Sequence, residues 1–175
     1  LSLLACELAQ RLANPAAAAA AAAAPHRAAL PRGRQRRRGG GPLLLASRLE
    51  PAAAVLDAGG SGIVVPQVRS VEEVRQVVAD CRYPPLGQRG FGPLIPTNYG
   101  RDEGGVDYAK RANAGIYVSV MVETAEALEA IDEIVAVPGL DGVVIGPWDL
   151  SASLGLLGEV EHPTVVGAME KIIGR

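Results

Sequence analysis

Two acidic side chains, Glu123 and Asp149, each stand just beyond a run of apolar, β-branched residues. Glu123 directly follows residues 116–122 (IYVSVMV); Asp149 follows residues 142–145 (GVVI) across Gly146-Pro147-Trp148. Runs of this kind, apolar throughout, are the mark of strands buried on both faces, and parallel β/α folds gather their chemistry at the C-terminal ends of such strands. One helical stretch separates the two runs, which fits neighbouring strands spaced about 4.8 Å apart, with both carboxylates directed into one cavity. Oxygen ligands from two acids, with no Cys or His close in sequence, suit a hard ion that keeps open positions, Mg²⁺ or Mn²⁺. Taken singly, either acid also fits as a helix N-terminal charge stabilised by the helix dipole; their matching placement favours the shared ion.

The elements that must position these acids follow from periodicity. Residues 50–57 (EPAAAVLD) read as a helix stopped at Gly59-Gly60, and residues 61–66 (SGIVVP) as a short buried strand. Ser70 opens a helix with apolar positions Val71, Val74, Val78 and Cys81, and Glu73 three residues on completes a capping box. Residues 82–105 form a long Gly/Pro-rich loop of the kind that is usually functional or disordered. A helix over 106–113 leads to the strand at 116–122. Thr124 then caps a helix with Leu128, Ile131 and Ile134/Val135 inward, ended by Pro138-Gly139. After the strand at 142–145 and a short turn, Pro163 starts a last helix whose inward face is Val166, Met169 and Ile173. The order α-β-α-β-α-β-α predicts an α/β fold with a parallel sheet covered by helices, either doubly wound or a (β/α)₈ barrel. No G-x-G-x-x-G or Walker-type loop follows a strand, which removes support for the nucleotide-binding versions.

Bulk composition sets the remaining limits. With one Phe, one Trp and four Tyr among 175 residues, the core must be aliphatic. The net charge of −2 conceals an asymmetry: residues 1–50 carry eight Arg against Glu7 and Glu50, while nine basic and 17 acidic side chains follow. An acidic body gives no reason to expect a nucleic-acid partner. No apolar run reaches the roughly 18–20 residues of a membrane span, and Cys6 and Cys81 form no disulfide or metal spacing. A soluble, cytoplasmic protein is expected. Residues 1–49, with the alanine tract 16–24 and the basic run 31–41 (PRGRQRRRGGG), read as a low-complexity, disordered leader. Its Ala/Arg-rich, acid-poor composition also fits an organelle transit segment, and Arg36-Arg37-Arg38 alone fits a nucleic-acid or membrane arm. The first residue is Leu rather than Met, so the true start is expected to lie further upstream.

Residues 121–155 (MVETAEALEAIDEIVAVPGLDGVVIGPWDLSASLG) closely resemble the HpcH/HpaI aldolases, metal-dependent enzymes that release pyruvate from 2-keto-3-deoxy sugar acids. Residues 56–93 (LDAGGSGIVVPQVRSVEEVRQVVADCRYPPLGQRGFGP), Tyr99-Gly100, Tyr108 and Asn113 fit the same family. The resemblance implies a (β/α)₈ barrel, present as a partial copy over residues 50–175, and a homo-oligomer if the barrel is complete. It places Glu123 and Asp149 on the family's metal ligands, with the ion chelating a pyruvate-type keto acid. It puts the backbone of Gly146, Pro147 and Trp148 against the pyruvate carboxylate. Asp57 matches an acid near the mouth of the site, often at a subunit contact. Arg89, with Gly90, matches a substrate-side Arg-Gly pair, and a solvated loop charge fits Arg89 equally well.

Three family features are missing. The general-base His has no counterpart, since His26 lies in the leader and His162 opens the last helix. Arg48 is the nearest match to the substrate-binding Arg but is out of register. Met121 stands where a Gln often precedes the metal Glu by two positions. The expected activity is therefore reversible aldol cleavage, with two alternatives: an inactive metal-binding or oligomer-partner remnant, and a citrate-lyase-β-like acyl-CoA lyase.

Overall fold

The computed structural model describes residues 43–45, 52–92, 95–101 and 105–175. The expectations for the leader up to residue 42, including the transit and arm readings, lie outside the described residues, as do His26 and Arg48. Four strands, β1 (Leu43–Leu45), β2 (Gly62–Val65), β3 (Tyr117–Val122) and β4 (Gly142–Ile145), form one parallel sheet in the order β1-β2-β3-β4. The helices are α1 (Ala52–Asp57), α2 (Val71–Cys81), α3 (Gly105–Gly115), α4 (Ala125–Glu129), α5 (Ile131–Val135), α6 (Pro147–Ser153) and α7 (Pro163–Ile173). Among the described residues no helix is long and apolar enough to cross a membrane.

Strand β1 is absent from the sequence reading. Three leucines beside a basic run carry no periodicity, and only pairing of Leu43–Leu45 with Gly62–Val64 makes them a strand. The other strands fall where expected, but β4 is half-buried rather than buried on both faces, with Val144 exposed. Ile63, Val118, Val120 and Val122 are fully buried and pack with the inner faces of α2, α4, α5 and α7 into one aliphatic core. Ser119, in the middle of β3, is tolerated there because its hydroxyl donates to Ile63 O at 2.9 Å.

Helix α2 begins as expected: the Ser70 hydroxyl accepts from Glu73 N, and Val71, Val74, Val78 and Cys81 are buried. The reciprocal bond differs, since the Glu73 carboxylate accepts from Arg69 N rather than from the cap residue itself. The single helix expected after Thr124 is two short ones meeting at Ala130, with Ala127, Ile131 and Ile134 buried and Val135 37 % exposed. In α7 the inward stripe is Val165, Ala168 and Ile172, one residue before the expected Val166, Met169 and Ile173. Apolar doublets at all three places make either stripe possible, and packing against α6 and the sheet selects the phase.

The N-terminal edge of the sheet is clamped by Arg82, which follows α2 and is buried. Its guanidinium donates to Asn113 O, Ile116 O and Gly139 O and pairs with the Asp141 carboxylate at 2.9 Å. The same Asp141 oxygen accepts from Val118 N, tying the starts of β3 and β4 together. Reciprocal bonds between the Asn113 amide and the Tyr83 backbone, 2.8 and 2.9 Å long, fasten the long loop to α3. This explains in physical terms why Asn113 accompanies the resemblance.

Candidate metal and keto-acid site

At the opposite, C-terminal edge, Glu123 is the first residue beyond β3 and is 2 % exposed. Its Oε1 accepts from Gln67 N at 2.7 Å, so the turn leaving β2 reaches across to the residue leaving β3. The β2–β3 register explains the meeting, because Val65 pairs with Val120 and two further residues bring Gln67 level with the end of β3. Beyond β4 the chain remains hydrogen-bonded to β3 for one more residue, Gly146 N to Val122 O at 3.3 Å. Gly146 thereby lies against the Glu123 carboxylate, where any β-carbon would overlap Oε2. Pro147 then starts α6 and Asp149 sits in its first turn, close enough for its charge to act on the Glu123 carboxyl.

Burial pushes the Glu123 carboxyl above its ordinary value, Asp149 adds to the rise by charge and hydrogen bonding, and the Gln67 bonds oppose it. Two facing carboxylates, one of them buried and without a basic partner, form a donor set that a divalent cation would satisfy. Among the described residues no third His, Cys, Asp or Glu joins them. Two protein oxygens with the remaining positions open suit a Mg²⁺-like ion that retains water or takes substrate oxygens.

The other expected residues divide. Gly146, Pro147 and Trp148 adjoin the two acids, with Trp148 58 % exposed and its ring edge near Gly158. The structure does not bring Asp57 and Arg89 to the two acids within this chain. Asp57 ends α1, which runs back toward the N-terminal edge before β2 begins, and it pairs there with Arg89 at 2.5 Å. Nor is Arg89 a solvated loop charge: it is 3 % exposed, lies 4.6 Å from the Tyr83 ring centroid, and its backbone N–H donates to Arg82 O. His162 is the N-cap of α7, its Nδ1 accepting from Thr164 N at 3.2 Å. Gln67 is the site residue missed from sequence; the available signal was a polar residue two positions beyond a buried strand.

A family model described as HpcH/HpaI aldolase/citrate lyase matches residues 45–175. The chain belongs to the HpcH/HpaI aldolase/citrate lyase family. A 2-keto-3-deoxy-L-rhamnonate aldolase of Salmonella paratyphi B is 45 % identical over 123 residues, which are 69 % of this chain and 45 % of that protein. The solved HpcH/HpaI aldolase of Desulfitobacterium hafniense DCB-2 is 36 % identical with a TM-score of 0.67, over 74 % of this chain and 51 % of that one. A citrate synthase, SbnG, is 34 % identical with a TM-score of 0.66, over 76 % of this chain and 51 % of that structure. The chain thus spans about half the length of the HpcH/HpaI relatives it matches.

Proposed function

We propose that the chain carries the metal-binding half of a carbon–carbon lyase, acting by reversible aldol cleavage of a 2-keto-3-deoxy hydroxy acid to pyruvate and an aldehyde. The observation that carries this reading is the placement of Glu123 and Asp149, brought together from the ends of adjacent parallel strands with Gly146 fitted against them. The four-stranded sheet is read as part of a (β/α)₈ barrel. Glu123 and Asp149 would hold Mg²⁺ or Mn²⁺, and the backbone of Gly146, Pro147 and Trp148 would lie along the carboxylate of the keto acid. When bound, the ion supplies Lewis-acid stabilisation of the charge that develops on the keto oxygen. Gln67 and Gly146 orient Glu123, while the buried end of β3 excludes water from one side of the site. The 45 % identity to a protein named for 2-keto-3-deoxy-L-rhamnonate supports a deoxy sugar acid as the substrate class.

One observation favours a second reading, metal and keto-acid binding without turnover. Among the described residues the imidazole of His162 is committed to capping α7, and no other imidazole is available to take a proton from the pyruvate methyl. Incubation of the chain with Mn²⁺ and pyruvate in D₂O separates the two. Exchange of methyl protons, followed by NMR, is the expected result for a lyase. A folded, Mn²⁺-loaded sample that exchanges none would leave binding alone, and a folded sample that binds no Mn²⁺ would overturn both readings.

A further inference from the structure

We propose that Thr124 is a positioning residue for the metal carboxylate, its hydroxyl pinning the turn after β2 so that the Gln67 N–H stays on Glu123. The proposal rests on the metal reading of Glu123 and Asp149 given above. Thr124 is buried, and its side-chain oxygen is used twice. It accepts from Ala127 N at 3.1 Å, which caps α4, and its hydroxyl donates to Val68 O at 3.1 Å. Capping needs only an acceptor, which Asp or Asn would supply equally well. A hydroxyl also carries a proton, and here it goes to a carbonyl 56 residues away in the chain.

That carbonyl belongs to the residue after Gln67. The register of β2 with β3 ends at the pair Val65–Val120, and two hydrogen bonds carry the contact further. Gln67 N donates to Glu123 Oε1 at 2.7 Å, and the Thr124 hydroxyl donates back to Val68 O. Adjacent residues on one exit are thus tied to adjacent residues on the other. Gln67 has φ of 59°, a left-handed conformation that a residue with a β-carbon keeps only where its surroundings impose it. The buried Val68 side chain anchors the turn, and Thr124 fixes the orientation of its carbonyl. Without that bond the turn can relax out of the left-handed region, and the rotation carries the Gln67 N–H away from the carboxylate. An Arg69–Glu126 ion pair at 3.9 Å spans the same gap, but both side chains are about half exposed and such pairs contribute little. Thr124 therefore acts through Gln67, as an outer group that fixes the orientation of a ligand.

The test compares the full chain as wild type, Thr124→Val, Thr124→Gly and Thr124→Ser. Amide hydrogen exchange of Gln67 is followed by NMR in metal-free protein, and Mn²⁺ affinity is measured by calorimetric titration. Valine keeps the shape and removes both bonds. Glycine removes the bond to Val68 but is itself a good N-cap residue, so α4 stays capped. Both variants should exchange the Gln67 amide at least about 10-fold faster and bind Mn²⁺ about 10-fold more weakly. Thr124→Ser, which retains the hydroxyl, should restore both values. Wild-type exchange or wild-type affinity in folded Thr124→Val and Thr124→Gly would overturn the proposal while leaving the metal site standing. Losses in Thr124→Val alone, with Thr124→Gly like wild type, would reduce Thr124 to a helix cap and overturn it too. Should Thr124→Val fail to fold, Thr124→Gly against Thr124→Ser decides by the same two readings. Absence of Mn²⁺ binding by wild type would overturn the metal reading, and this proposal with it.

Discussion

Gly146 packs against Glu123 so closely that its missing side chain is part of the site: a β-carbon would overlap carboxylate Oε2 and crowd Glu123 Cβ. The contact arises because β4 continues its pairing with β3 one residue beyond Ile145. The substitution Gly146→Ala should therefore push Glu123 away from Asp149. Calorimetry should show Mn²⁺ affinity reduced by about 10-fold or more. Overpacking should lower stability by about 1–3 kcal/mol in urea titration. Unchanged Mn²⁺ affinity would mean that Glu123 does not ligate the ion from this position.

Glu123 also dictates a pH dependence. Its folded carboxyl titrates above the ordinary value of 4.5 because it is buried and faces Asp149. Between the unfolded and folded values the native chain holds more protons than the unfolded chain, so metal-free stability falls as pH rises through that window. Below the unfolded value the penalty is absent, and above the folded value it is complete. Glu123→Gln keeps the shape and removes the charge. In chelator-treated buffer it should melt above wild type at neutral pH, and the difference should close on the acid side. Divalent affinity should run the opposite way, weakening as pH falls and releasing protons on binding. Equal melting temperatures at all pH values would contradict the upward shift of the buried Glu123 carboxyl.

Arg82 offers a contrast between stability and function. Replacing it with Met leaves three carbonyls and the Asp141 carboxylate without their guanidinium at the N-terminal edge of the sheet. Because Asp141 is exposed, the cost comes mainly from the unsatisfied carbonyls, about 1–3 kcal/mol, which urea denaturation would register. The site lies at the other edge, so Mn²⁺ affinity measured under fully native conditions should change by less than about 3-fold, within ordinary additivity of distant sites. A large loss of affinity in the folded variant would show that the two edges are coupled.

Trp148 is the single Trp of the chain, largely exposed and adjacent to Asp149. Its fluorescence should therefore report on the site directly. Addition of paramagnetic Mn²⁺ should quench it with the same midpoint as calorimetry, and Asp149→Asn should abolish the change. Quenching that survives Asp149→Asn would place the ion elsewhere.

Much of the site was legible in the sequence because strand burial and strand ends leave local marks. The apolar runs before Glu123 and before Gly146-Pro147 marked parallel strands, and the acids beyond them emerge at the same edge; the half-buried state of β4 was not marked. The capped start of α2 and its valine stripe were equally local, set by Ser70, Glu73 and a 3.6-residue period. The leucines of β1, the break at Ala130 and the phase of α7 were not legible. Each depends on which neighbour a segment meets, and doublets such as Val165-Val166 and Ile172-Ile173 satisfy two orientations equally well.

The sequence by itself determined which carboxylates stand beyond the ends of successive strands, and through its motifs the family to which the chain belongs. Only the tertiary structure decided which other residues reach them. Strand register brought Gln67 to Glu123 across 56 residues and set Gly146 against the carboxylate. The return path of α1 carried Asp57, with Arg89, to the far edge. Periodicity records how each segment faces its own surroundings, whereas a site requires that separate segments end at one height, and register between strands is a property of their pairing.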